Sequence, residues 1–245
     1  MFNVGYARLY DLFYENKPYQ TECEFLIKVF GSNVKTLLDV SCGTGNHIKI
    51  LNDMGIQTTG IDASNAMLDI ATTKVNCPLH NMSMTNFHFK DKFDAIIAMF
   101  SSVDYLKDDL ELDAFFGKVK EYLNKDGFFL FDFWNKNSVH KYLQPYKEQY
   151  YGKGLNSFIK RTSLSKFIDE DTVEVEFVVY NLYGDKEIDW NQKPIHEIHT
   201  LKVYDPEEMM INLKSNGFIV EMLPFMKRGE DITRKDWNIQ VICRQ

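Results

Sequence analysis

The stretch Leu37-Leu38-Asp39-Val40-Ser41-Cys42-Gly43-Thr44-Gly45-Asn46-His47 sets an acid near the end of an apolar run and follows it with a Gly-x-Gly turn. Glycine bends there at little steric cost and lets main chain come within contact distance of a ligand, with the N–H groups of the next helix facing the same space. Asp62 follows the next run, Gln57-Thr58-Thr59-Gly60-Ile61, and a carboxylate at such a strand tip can accept both hydroxyl protons of a ribose. A dinucleotide fingerprint would put a third glycine where this chain has Ile48, which weakens the case for a pyrophosphate ligand. His196-Glu197-Ile198-His199 has metal-binding residue types. Alternation along a strand sends His196 and His199 to opposite faces, so no metal site is expected. Tyr6, Tyr10 and Tyr14 stand four apart, on one helix face. Cys42 has no basic neighbour in sequence that would make it a thiolate nucleophile.

Positioning these groups calls for short buried strands alternating with helices. Thr36-Leu37-Leu38-Asp39-Val40, Gln57 to Ile61, Phe93 to Met99 and Gly127 to Phe133 read as strands of a parallel sheet. Ile48, Leu51 and Met54 continue at helical spacing and stop at Gly55, Ser64 is a candidate N-cap, and Leu110 to Leu123 is amphipathic. Phe2 to Phe30 reads as mostly helical. After Asn135 the period changes: Thr172-Val173-Glu174-Val175-Glu176-Phe177-Val178-Val179-Tyr180 alternates as an antiparallel strand with one solvated face does. The chain then returns through a helix, Pro206 to Ser215, and strands at Phe218 to Leu223 and Trp237 to Cys243.

Composition narrows the classes. With 245 residues, 44% of them hydrophobic and 26% charged, the chain can bury one large core and is not intrinsically disordered. A net charge of -7 repels a phosphate backbone, so no nucleic-acid partner is expected. No apolar run approaches the ~20 residues that span a bilayer, so no membrane partner is expected either. Four cysteines without a Cys-x-x-Cys pair, and no export signal at the N-terminus, predict a reduced, cytoplasmic protein.

An S-adenosylmethionine site wants an acid before the turn, for the methionine ammonium, and glycines for close approach of the adenosyl group; Asp39, Gly43 and Gly45 meet that need. Leu-Asp-Val-Ser-Cys-Gly-Thr-Gly, followed by Gly60-Ile61-Asp62-Ala63-Ser64 with Met67-Leu68, resembles motifs I and II of the class I S-adenosylmethionine-dependent methyltransferases. Within that superfamily, Tyr10-Asp11-Leu12 and Met99-Phe100-Ser101-Ser102-Val103-Asp104-Tyr105-Leu106 are similar to the bacterial N,N-dimethyltransferases of deoxyamino-sugars, over roughly Tyr6 to Arg228. The resemblance implies a single methyltransferase domain over 1–245, with a Rossmann-like, seven-stranded, mostly parallel α/β sheet. It also implies a helical N-terminal lid over 1–34 and an inserted antiparallel β-layer over 136–203.

It further implies S-adenosylmethionine as cofactor, leaving as S-adenosylhomocysteine, held by Asp39, Ser41, Gly43, Gly45, Asp62, Ala63, Ser83, Met84 and Phe100. Ser41 stands where the family has Gly or Ala, Met82-Ser83-Met84 where it has Gly-Asp-Met, and Tyr105 where the sugar enzymes have His. Tyr105, Tyr14 and His199 are then the candidate catalytic residues. Tyr6, Tyr10, Trp134, Glu197 and Arg228 are candidates for a small-molecule acceptor, Arg228 for a nucleotide diphosphate. The expected activity is methylation of an amine, on a nucleotide-linked amino-sugar first and a simpler amine second. Sugar O-methylation is the alternative, followed by a nucleotide-binding dehydrogenase and a non-catalytic cofactor-binding protein. A homodimer whose second subunit completes the lid stays open.

Overall fold

A computed structural model of the chain describes residues 2–152, 158–183 and 193–245. Met1, in the expected lid, and residues 153–157 and 184–192, in the expected inserted layer, lie outside the described residues. The elements run α1 (Val4–Phe13), α2 (Tyr19–Phe30), β1 (Thr36–Val40), α3 (Asn46–Asp53), β2 (Gln57–Asp62), α4 (Asn65–Ala71), β3 (Leu79–Asn81) and β4 (Phe93–Ala98). A 3-10 turn (Ser102–Tyr105), α5 (Asp109–Tyr122), β5 (Leu123–Trp134) and α6 (Lys136–Tyr142) come next. Then follow β6 (Tyr146–Gly152), β7 (Phe158–Phe167), β8 (Thr172–Tyr183), β9 (Ile195–Lys202), α7 (Pro206–Ser215), β10 (Ile219–Pro224) and β11 (Asn238–Arg244).

Seven strands form one sheet in the order β10-β11-β5-β4-β1-β2-β3. β1 through β5 pair in parallel, while β11 runs antiparallel to both β5 and β10. The central strands carry apolar runs because both faces are covered. On one face α5 and α7 bring Phe115, Phe116, Val119 and Leu213 onto Phe129, Phe131 and Phe133. On the other, α2 brings Leu26, Val29 and Phe30 onto Leu37, Ile97 and Leu130. Side-chain caps satisfy the helix starts that face this core: Ser64 accepts the N–H of Met67, Asp108 that of Glu111, and Asp205 those of Glu207 and Glu208 ahead of Pro206.

The strand order reverses at β1, which has β2 on one side and β4 on the other, and a parallel sheet opens a crevice at the carboxyl ends of strands at that point. Over the crevice lies the second, antiparallel sheet β6-β7-β8-β9. It begins after a helix, α6, that the alternation pattern did not foretell. The segment leaves and re-enters beside itself: the N–H of Tyr204 donates to the Trp134 carbonyl at 3.1 Å and that of Lys136 to the Tyr204 carbonyl at 2.9 Å. No helix among the described residues is long and apolar enough to cross a membrane.

Candidate functional site

Between the two sheets lies a cavity of about 590 Å³. Its floor is built from backbone. β1 ends in a turn with Ser41, Gly43 and Gly45 at φ of 61°, 55° and 79°, a region that costs a residue with a Cβ and explains why glycine is favoured at all three positions. Gly43 lines the cavity, and a Cβ built on it would meet no atom within 4 Å, so the main chain lies bare to whatever occupies the space. Gly45 serves packing instead: its Cβ would come within 3.3 Å of Ala71, where α3 approaches α4.

Asp62, at the end of β2, accepts the N–H of Gly43 at 2.9 Å and that of Ser64 at 2.8 Å, one on each carboxylate oxygen. These bonds oppose burial, which nonetheless holds its pKa above the usual range. The carboxylate faces the cavity with lone pairs to spare, as a ribose diol requires. Asp39 sits behind the turn at 1% exposure with Oδ2 unpartnered, its pKa driven well up by burial and then by the nearby Asp62. An orphaned buried carboxylate oxygen is costly, and a cationic ligand group within reach would relieve it.

The wall after β4 is held by a carboxylate that sequence reading missed. Phe100 and Ser101 both adopt left-handed backbone, at φ of 64° and 56°. Asp132 fixes them: it accepts the N–H of Phe100 at 2.7 Å, the N–H and Oγ of Ser101 at 3.0 and 2.9 Å, and Asn238 Nδ2 at 2.8 Å. Asp104 is fully buried next in line and accepts the N–H of Trp134 at 3.1 Å. Its pKa is driven far up by burial and by Asp132.

Side chains from distant segments make the roof. Along β9 burial alternates, so Glu197, His199 and Leu201 face inward while His196 faces solvent, beside Glu176 at 3.0 Å. Glu197 accepts the N–H of Asn3 at 2.9 Å, docking the start of α1 on the inserted sheet. At its other end α1 is tied over the glycine turn, where Asp11 accepts Thr44 Oγ1 at 2.6 Å, Asn46 Nδ2 at 3.0 Å and Lys74 Nζ at 2.7 Å. Tyr6, Tyr10 and Tyr14 therefore line the cavity from above. The Tyr105 hydroxyl lies 2.8 Å from His199 Nδ1. His199 is buried among Phe2, Tyr6 and Phe177, with Nε2 unpartnered, and burial together with the positive charge of Arg161 lowers its pKa to about 4. The Tyr105 phenol, whose 42% exposure is toward the cavity, is pushed well above its ordinary pKa by desolvation, then by Tyr14 and Asp104.

Of the candidate residues, Ser41, Gly43, Asp62, Ala63, Met84, Phe100, Tyr6, Tyr10, Tyr14, Tyr105, Trp134, Glu197 and His199 share this one cavity. Asp39 and Gly45 lie directly behind it. Ser83 does not line it; its hydroxyl pairs with Thr85 Oγ1 at 3.0 Å. Arg228 does not line it either: its Nε and Nη2 are spent on Glu221, at 3.2 and 3.0 Å, on the exposed end of the sheet. Phe2 and Phe177 were not foreseen. Nor was Arg161, 5% exposed behind the tyrosines, with Nη1 3.3 Å from the Tyr6 hydroxyl and its guanidinium over the rings of Phe13 and Phe177. Its parity with the inward Ile159 on β7 was the available signal. No group of three or more metal-ligating side chains occurs among the described residues.

A methyltransferase-domain family model matches residues 37–127, from β1 into β5. The dTDP-3-amino-3,4,6-trideoxy-alpha-D-glucopyranose N,N-dimethyltransferase of Streptomyces venezuelae is 35% identical over 140 residues, covering 55% of this chain and 59% of that protein. The chain thus spans little more than half the length of that curated relative. Among solved structures, an S-adenosylmethionine-dependent methyltransferase of Clostridium acetobutylicum superposes with a TM-score of 0.82 at 22% identity, over 98% of this chain and 97% of the other. DesVI of Streptomyces venezuelae follows with a TM-score of 0.78 at 24% identity, over 99% of both chains. These two likenesses are of fold. The strand order and the glycine turn at the end of β1 agree with the family match: residues 37–127 match a methyltransferase domain.

Proposed function

We propose that the protein transfers a methyl group from S-adenosylmethionine to an amine on a small polar acceptor. The observation that carries this reading is that Gly43 and Asp62, suited to a nucleoside, line the same cavity as Tyr105 and His199. The fit of the cofactor rests on the unpartnered Oδ2 of Asp39 and the open Cβ position of Gly43, which suit a methionine ammonium and a closely approaching adenosyl moiety. Asp62 would take the ribose hydroxyls and Met84 and Phe100 the flanks of the adenine. When bound, S-adenosylmethionine supplies a methyl on a sulfonium: the amine lone pair takes the methyl, the bond's electrons pass to sulfur, and S-adenosylhomocysteine leaves.

The chain's own task is positioning. Alignment in a closed cavity can contribute ~7–11 kcal/mol of barrier lowering. An amine attacks only when neutral. His199, with its pKa lowered to about 4, is unprotonated at neutral pH, and Tyr105, which lines the same cavity, is hydrogen-bonded to its Nδ1. The phenol donates its hydrogen to His199 Nδ1 and can accept a hydrogen bond from the amine, which would aim the lone pair at the methyl; the added proton leaves on the product ammonium. Tyr14 and the docked α1 exclude water. The named activity of the Streptomyces relative, on a dTDP-linked amino-sugar, puts amino-sugars first among acceptors. Mass spectrometry of amine-bearing and hydroxyl-only sugars incubated with S-adenosylmethionine tests the reading. A gain of one or two methylenes on the amine-bearing members alone is expected, and methylation of hydroxyl-only members would overturn the choice of atom.

A further inference from the structure

Building on that reading, we propose that the acceptor is a small amine without phosphate groups, recognised by Glu197 and the aromatic wall of the cavity. The charges decide the matter. Among the described residues that line the cavity there are two carboxylates, Asp62 and Glu197, and no lysine or arginine. Asp62 belongs to the nucleoside end. Glu197 is therefore the charged group of the acceptor end. Its Oε2 is taken by the N–H of Asn3.

The rest of that end is ring surface, from Phe2, Tyr10, Tyr14, Tyr105, Trp134 and Phe177. Ring faces attract an ammonium and give a phosphate nothing. Burial raises the pKa of Glu197, so a cation beside it restores the charged form that desolvation disfavours.

A diphosphate needs cationic donors, preferably a bidentate arginine. Several described cations around the two sheets are committed elsewhere. Arg161 does not line the cavity: it lies behind Tyr6 and donates to Tyr6 and to Gln149 Oε1, the latter at 2.6 Å. Lys17 is paired with the buried Glu22. Lys136 and Lys202, next in sequence to the cavity's edges, are held by Asp171 at 2.5 Å and by Asp109 at 2.9 Å. Arg228 is held by Glu221. A net charge of -7 adds to the repulsion of an anionic acceptor.

The test uses the full chain saturated with S-adenosylhomocysteine and titrated calorimetrically with two probes. One is a methyl glycoside of a 3-amino-3-deoxyhexose; the other is the same amino-sugar linked to dTDP. Each probe is also incubated with S-adenosylmethionine and weighed. The free amine is expected to bind at least about tenfold more tightly and to be methylated. Glu197→Gln, which keeps an acceptor for the Asn3 N–H, should weaken it at least about tenfold while leaving S-adenosylhomocysteine affinity in place. Tighter binding of the dTDP-linked probe, or unchanged affinity in Glu197→Gln, would overturn the inference and leave amine methylation standing. If neither probe binds or is methylated, the inference falls together with the amine reading.

Discussion

The two ends of the cavity are built in opposite ways. The end proposed for the nucleoside is mostly main chain and short side chains from one segment, Asp39 to Ser64, with hydrogen bonds such as Gly43 to Asp62 spanning 19 residues. The acceptor end is assembled from pairs far apart in sequence: Tyr105 with His199 across 94 residues, Arg161 with Tyr6 across 155 and Asn3 with Glu197 across 194. The first is rigid because its atoms are fixed by packing, and tolerates change poorly. The second is fixed by side-chain contacts between a docked helix and an inserted sheet, where acceptor chemistry can be altered without disturbing the core. Damage to the first should therefore appear as lost stability or lost cofactor affinity, and damage to the second as altered turnover or pH response.

The largest effect is expected at Gly60, where a Cβ would stand 2.6 Å from Ile48 Cδ1, 2.7 Å from Leu79 Cδ2 and 2.8 Å from Cys42 Sγ. Gly60→Val should cost about 3 kcal/mol or more by overpacking, which for a chain of this size lowers Tm by roughly 6–12 °C. Calorimetric scanning that found an unchanged Tm would break the claim of a rigid nucleoside end. His199→Gln comes next. A histidine whose folded pKa is lowered from 6.5 to about 4 binds fewer protons folded than unfolded, so its stabilisation is present above pH 6.5 and is lost as pH falls toward 4. Relative to His199→Gln, the wild type should lose about 3 kcal/mol between pH 6.5 and 4; parallel urea curves across that range would contradict a buried neutral imidazole.

Tyr105→Phe removes the hydroxyl proposed to orient the amine while keeping the ring, so kcat should fall about 10²-fold with S-adenosylhomocysteine affinity unchanged. Wild-type turnover would reduce the phenol to packing. Smallest is Arg228→Ala, which breaks an exposed pair worth about 0–1 kcal/mol and should leave the KM for the acceptor as it was. A large rise in that KM would extend the acceptor end to the far side of the sheet and sharpen where it stops.

The same division explains what was legible in the residues alone. The β1 turn, the strand-tip Asp62, the Ser64 cap and the helix Pro206 to Ser215 are local patterns, and local patterns are set by neighbours in sequence. The alternation of His196 to His199 predicted opposite faces, and the sheet alternates that way. Asp132 could not be read as the clamp on Phe100 and Ser101, because it and its partners come from three segments brought together only by the parallel pairing of β4 with β5 and the antiparallel return of β11. Arg161 was hidden for a related reason. A charged residue in an alternating strand usually marks the solvated face, and only the rings of α1 and β8 make an inward position tolerable for a guanidinium. Arg228 looked available in sequence and is engaged by Glu221, two strands from the cavity.

The central proposal is that the crevice at the carboxyl ends of β1 and β2 holds S-adenosylmethionine through Asp62. Titration of S-adenosylhomocysteine into the wild type and into Asp62→Ala tests it directly. Two charge-assisted hydrogen bonds lost from a buried diol contact, at about 1.5–3 kcal/mol each, predict one-to-one binding by the wild type weakened at least about 100-fold in the variant. Equal affinity in the two proteins, or no binding by the wild type, would contradict the account.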